Sequence, residues 1–237
     1  MIPKIIHLCW FSNDPYPVEI KQCIASWKRL LPDYTIRRWT YDDAKAIGCK
    51  FVDEALEARK WAFAADVVRF YAVYTKGGLY MDSDVLLKKR FDEYIPQHGF
   101  ASFIESLSGD IDIQAAFFMG EKGNILCKDV LNYYMTHPFK NGDRQFDETV
   151  SPKIMAKIAE AYGYKYEDRE QHLDHDIIIY PSYLVTSANS AKTCPQDPRA
   201  FARHTIYGSW RHRKLGRRVE LWFKHMGHCF KYYLLGR

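Results

Sequence analysis

The stretch Gly77-Gly78-Leu79-Tyr80-Met81-Asp82-Ser83-Asp84 constrains this chain more than any other part of it. It follows Glu54 to Lys76, a run rich in alanine and aromatics whose spacing predicts one long helix that stops at the paired glycines. A glycine just past a helix end takes the left-handed cap conformation without steric cost. Leu79 to Leu87 then reads as a strand bearing two carboxylates, Asp82 and Asp84. Residues two apart on a strand share a face, so both acids converge on one small region. Like charges placed this way repel and lose hydration unless a cation or hydrogen-bond donors compensate. A divalent metal, which favours hard oxygen ligands, is the simplest compensation. Asp-x-Asp alone is common in loops; the apolar approach and the capped helix set this pair apart.

The rest of the chain supplies a frame. Lys4 to Phe11 reads as a buried strand, Val18 to Leu31 as an amphipathic helix and Thr35 to Thr40 as a second strand. Further strands are expected near residues 99–105, 113–119, 177–180 and 202–207, with helices near 125–135 and 152–162. Alternating strands and helices predict an α/β layered sheet. With 237 residues and no repeat or long linker, the chain reads as one domain over residues 1–210 and a basic extension over 211–237. In that extension Trp222, Phe223, Met226 and Phe230 fall on one helical face, with Arg217, Arg218, Lys224 and Lys231 largely on the other. Such a helix packs on the domain or docks at an anionic membrane, and periodicity does not separate the two.

The net charge of +5 sits in this tail, with eight Lys/Arg against Glu220 alone, so nucleic acid is not an expected partner. Six scattered cysteines without a CxxC pair argue for a reduced, cytoplasmic setting. The opening residues lack a signal-peptide pattern and no apolar run approaches a membrane span. The expectation is a soluble or peripheral protein, at most at the inner face of a membrane.

Asp66 and Arg69 lie three apart on the predicted long helix and share a face. A local salt bridge is the plain reading. Their flanks, Trp61 to Ala65 and Val67 to Tyr71, predict burial, and a buried charge usually has a partner or a task. His7, on an apolar strand, reads as a satisfied core group. His172, Asp174, His175 and Asp176 fit no metal geometry and read as a solvated loop.

At this point a family resemblance emerges. Ile2-Pro3-Lys4-Ile5-Ile6-His7 with Trp10, then Ala65-Asp66-Val67-Val68-Arg69, the glycine–acid stretch, and finally His204 with Gly208-Ser209-Trp210 are similar, in order and separation, to the sugar transferases that carry a DXD sugar-binding region. That family includes initiating α-mannosyltransferases of the yeast type, α-1,4 hexosyl and N-acetylglucosaminyl transferases, and bacterial capsular polysaccharide enzymes. The resemblance implies a GT-A fold, a nucleotide-diphosphate sugar donor with UDP favoured, Mn²⁺ or Mg²⁺, and retention of configuration. It implies that Trp10 and Tyr80 lie at the nucleotide, that Asp66 and Arg69 hold the transferred sugar, and that Asp82, Asp84 and His204 surround the metal. Ser209 and Trp210 would meet the diphosphate. Phe11-Ser12 and Ala65 depart from the usual pattern, near the nucleotide and not at the metal.

The expected reaction moves a hexose or N-acetylhexosamine to a glycan acceptor, lipid-linked where the tail docks on a membrane, in capsule or O-antigen assembly. Gln114 is a candidate for lying beneath the sugar, although an ordinary polar residue at a strand start is the plainer reading. Two rivals stand beside this. An aspartyl-phosphate phosphatase would want a hydroxyl residue soon after the second Asp, where Val85-Leu86-Leu87 stands. A non-catalytic sugar-binding module would bind the same ligand without transfer.

Overall fold

The computed structural model describes residues 1–107, 110–142, 145–187 and 197–206. Ser209, Trp210 and the basic segment 211–237 lie outside the described residues.

The chain begins with strand β1 (Ile5–Cys9), helix α1 (Val18–Leu30) and strand β2 (Thr35–Trp39). Helices α2 (Tyr41–Lys45), α3 (Lys50–Glu57) and α4 (Trp61–Lys76) lead into strands β3 (Gly78–Met81) and β4 (Val85–Leu87). Next come β5 (Phe100–Leu107), β6 (Asp110–Ile113), β7 (Phe117–Gly120) and helix α5 (Ile125–Thr136). Two paired strands of two residues each, β8 (Lys140–Asn141) and β9 (Gln145–Phe146), precede helix α6 (Ser151–Ala159). Strands β10 (Gln171–Leu173), β11 (Ile177–Tyr180), β12 (Val185–Ser187) and β13 (Ala202–His204) complete the described elements.

The main sheet runs β10-β11-β5-β7-β3-β1-β2, with β6 paired to β5. Strands β1, β2 and β3 are parallel, β7 is antiparallel to both β3 and β5, and β11 is parallel to β5. Strand alternation gives each face its own core. On β3, Leu79 and Met81 join Trp27 of α1 and Phe117 on one side, while Tyr80 joins Phe70 and Phe118 under α3 to α6 on the other. Both faces are therefore covered, as a sheet with parallel crossovers requires. A second, three-stranded sheet, β12-β13-β4, lies on the α1 side.

Three expected elements are each split. The helix expected over 54–76 is α3 and α4, because Arg59 turns left-handed at φ 54°. The N–H groups of Arg59 and Lys60 return to the carbonyls of Leu56 and Ala55, closing α3 with the paired bonds of a Schellman cap. No glycine marks this break, and the apolar periodicity runs through it. The strand expected over 79–87 is β3 and β4, with Asp82-Ser83-Asp84 in a turn closed by the Val85 N–H to the Asp82 carbonyl at 3.0 Å. The two carboxylates thus converge because the chain turns, not through strand alternation. Likewise residues 113–119 divide at Gln114-Ala115-Ala116 between β6 and β7.

The corner between α4 and β3 depends on Gly78. Its φ is +110°, and a Cβ there would stand 2.6 Å from the Ile5 carbonyl oxygen of the neighbouring strand. Only glycine lets β3 pair with β1 directly at the end of α4.

Candidate active site

Because β1 and β3 are parallel, their carboxyl ends open on the same edge of the sheet, which is where α/β folds bind ligands. Trp10 follows β1 directly and Asp82 follows β3. A cavity of about 670 Å³ opens there, and Trp10, Asp66, Arg69, Tyr80, Asp82, Asp84 and His204 all line it. Every described residue expected at the site is therefore brought to one place.

His204 arrives by sheet pairing. Strand β13 runs antiparallel to β4 with His204 opposite Val85, and both the N–H and the Oγ1 hydroxyl of Thr205 donate to the Asp84 carbonyl at 3.0 and 2.9 Å. The imidazole Nε2 stands 3.3 Å from Asp84 Oδ1. One ligand atom each from Asp82, Asp84 and His204 lies within 4.8 Å of the others. Two carboxylate oxygens and an imidazole nitrogen suit a divalent cation. Protein cations now balance these acids: Arg69 faces Asp82 and the His204 imidazole faces Asp84. Burial alone would lower the His204 pKa, but the charge and hydrogen bond of Asp84 outweigh it and raise it to about 9. A site that draws a positive charge onto a half-buried histidine fits a cation in the same place.

The second group is built around Arg69. Its guanidinium donates to the Ala115 carbonyl at 2.9 Å, lies 3.0 Å from Asp66 Oδ1 and 3.4 Å from Asp82 Oδ1, and stacks over the Tyr80 ring. The Tyr80 hydroxyl donates to Asp82 at 2.7 Å, and the Ser151 hydroxyl donates to Asp66 at 2.8 Å. The local Asp66–Arg69 salt bridge exists, but it is one edge of a buried network running from α4 to the acidic turn. Burial pushes the Asp66 carboxyl up to about 6 against the pull of Arg69. Arginine suits this hub because its fork serves several acceptors at once.

Trp10 is half-buried at the rim, edge-on to Tyr16 with ring centroids 4.8 Å apart, its indole N–H donating to the Asp14 carbonyl at 2.9 Å. Gln114 is buried in the cavity wall, its Oε1 accepting from the Ala116 N–H at 3.1 Å. His7 is the core group expected of it, hydrogen-bonded through both ring nitrogens. The His172–Asp176 stretch forms the edge strand β10 and its turn into β11, with His172 exposed and beside Glu170.

Two cavity residues carry no motif. Ser151 opens α6, and Glu105 projects from β5 with its carboxyl pushed up to about 7 by burial. An acid inside the apolar run Phe100 to Leu107 was the available signal for Glu105; Ser151 had none.

Comparison with known proteins agrees with this geometry. Residues 17–101, which hold Asp66, Arg69, Asp82 and Asp84, match the family described as glycosyltransferase sugar-binding region containing DXD motif. A glycosyltransferase of Acanthamoeba polyphaga mimivirus is 21% identical over 218 residues, covering 89% of this chain and 84% of the viral protein. Inositol phosphoceramide mannosyltransferase 3 of Schizosaccharomyces pombe is 32% identical over 98 residues, which is 38% of this chain and 26% of the yeast enzyme. Among solved structures, the PaToxG glycosyltransferase superposes with a TM-score of 0.52 at 17% identity over 68% of this chain and 69% of that one. A glycosyltransferase involved in glycosylation of the major capsid of PBCV-1 does so at 0.50 and 14% identity, over 94% of this chain and all of that one (100%).

The fold is thus the GT-A type of nucleotide-sugar transferases, and the chain is an enzyme of transferase class. Over residues 17–101 the chain is similar to the glycosyltransferases with the DXD sugar-binding region.

Proposed function

We propose that the enzyme moves a hexose or N-acetylhexosamine from a nucleotide-diphosphate sugar, UDP-linked in the favoured case, to a glycan acceptor with retention of configuration and with the help of Mn²⁺ or Mg²⁺. The observation that carries this reading is the joining of two groups in one cavity, the half-buried Asp82–Asp84–His204 triad and the buried Asp66–Arg69–Ser151 network.

In this reading Asp84 and His204 bind the cation directly, and Asp82 binds it or a water upon it. A bound divalent cation supplies positive charge to the departing diphosphate. Asp66 and Arg69 fix the hydroxyls of the transferred sugar, a positioning effect that places the anomeric carbon against the acceptor. Buried donors and acceptors of this kind need no reorganisation during the reaction, which is what makes them effective. Trp10 stacks on the base at the cavity rim, with Tyr80 beneath, its hydroxyl tied to Asp82. Ser209 and the Trp210 indole N–H meet the diphosphate. The acceptor belongs to polysaccharide assembly of the capsule or O-antigen kind. The basic segment 211–237 brings the domain to a lipid-linked form of it at the inner membrane face. No helix among the described residues is long and apolar enough to cross a membrane, so contact of this kind would be peripheral.

The test is a panel of nucleotide sugars incubated with Mn²⁺ or with EDTA and scored for free nucleotide diphosphate. Metal-dependent release from one donor, reduced at least about 100-fold in Asp84→Ala, is expected. Release that is indifferent to EDTA and to Asp84→Ala sinks the proposal.

A further inference from the structure

Glu105 belongs to none of the sequence motifs, yet its carboxylate is buried in the wall of the site with 7% of its surface exposed. His204 lies between two acids. Its Nε2 is 3.3 Å from Asp84 Oδ1, and its Nδ1 is 4.0 Å from Glu105 Oε1. Nδ1 is buried and makes no hydrogen bond among the described residues. A histidine that gives one nitrogen to a metal keeps the other as N–H, and the group facing that N–H fixes the tautomer and the ring plane. The two ring nitrogens diverge, so a carboxylate against Nδ1 stands behind the ring and away from the triad.

We propose that Glu105 is the positioning residue for His204, taking its Nδ1–H so that Nε2 presents a lone pair beside Asp84 to a divalent cation. The inference rests on the metal reading of Asp82, Asp84 and His204. At 4.0 Å the contact is longer than a hydrogen bond, and closure by about 1 Å or one bridging water completes it. The recess behind Glu105 is polar enough for this role. Ser106 Oγ, Ser187 Oγ and Gln114 Nε2 line it, all buried and without partners among the described residues. They offer donors to the carboxylate lone pairs that His204 does not use. A direct contact of Glu105 with the sugar is the competing role, and it makes a different prediction.

The experiment measures Mn²⁺ affinity by the electron paramagnetic resonance of free Mn²⁺, on the full chain, alone and with UDP. The proteins are wild type, Glu105→Leu, Glu105→Gln, His204→Ala and Asp84→Ala. Glu105→Leu and His204→Ala are expected to bind Mn²⁺ about 10- to 100-fold more weakly, with Glu105→Gln, which keeps an acceptor oxygen, nearer to wild type. In wild type with Mg²⁺, the ¹⁵N shifts of His204 are expected to show a protonated Nδ1 and a bare Nε2. If Glu105→Leu is folded and binds Mn²⁺ like wild type while Asp84→Ala does not, the inference is overturned and the metal reading stands. If Asp84→Ala also binds normally, the metal reading itself fails. Should Glu105→Leu not fold, the tautomer decides, since an Nε2–H signal with Mg²⁺ overturns the inference.

Discussion

Protonating His7 would set two N–H groups against each other. The Gly77 carbonyl only accepts and the Trp39 indole only donates, so Nε2 carries the hydrogen towards Gly77 at 2.9 Å and Nδ1 receives Trp39 at 3.2 Å. Burial, the main cause, lowers the His7 pKa from 6.5 to about 4, while the bond to Gly77 works the other way. The unfolded chain takes up a proton below about 6.5 that the folded chain refuses until about 4. Stability is therefore lost as pH falls through this window, by roughly 3 kcal/mol from this residue. His7→Gln does not titrate. Its deficit relative to wild type, measured by urea unfolding, is expected to shrink between pH 7 and pH 4; a constant deficit would refute this account. At this scale much of the site was legible, because Asp66, Arg69, Asp82, Asp84 and His204 sit in ordered motifs. Glu105 and Ser151 were not, because what they contact comes from elements about a hundred and about eighty-five residues away in sequence.

Elements explain how those residues are held. Gly78→Ala places a Cβ 2.6 Å from the Ile5 carbonyl oxygen at a φ of +110°, and backbone cannot swing aside as a long side chain would. The expected cost is about 3 kcal/mol or more, combining strain with overpacking. Gly123→Ala is the control, since its φ is +80° but nothing stands within 4 Å of the added methyl. It should cost about 1 kcal/mol. Equal losses in chemical denaturation would show that conformation alone, not the β1 contact, demands glycine at Gly78. Helix and strand periodicity located most elements but missed breaks made without punctuation. Arg59 adopts a glycine-like conformation, and the acidic turn interrupts a run whose apolar residues continue on both sides. The short strand β12 and the edge strand β10 have too few residues to show a period.

At the scale of the whole molecule, the main sheet and the three-stranded sheet meet at the candidate metal site, the acidic turn leaving the first and His204 coming from the second. An ion held by both would resist their separation. Mn²⁺ at 100 times its dissociation constant would then stabilise the fold by about 2.7 kcal/mol and raise the Tm by about 5–10 °C. Asp84→Ala should show no such rise in differential scanning calorimetry, and an equal rise would place the ion elsewhere. The α/β class followed from the alternating elements. The crossing order of the main sheet, and the pairing of β13 with β4, did not, because register between distant strands leaves no local trace.

That pairing sets an order of events during synthesis. Thr205 reaches back 121 positions to the Asp84 carbonyl, so the acidic turn leaves the ribosome long before the strand that supplies the third ligand. Until β13 emerges and docks, a nascent chain has its Asp66–Arg69–Ser151 network but only two of its three candidate ligands. Competence would then arrive abruptly, once β13 has docked. Premature termination before Ala202 would leave a protein that still carries the Asp-x-Asp signature and yet lacks a complete centre.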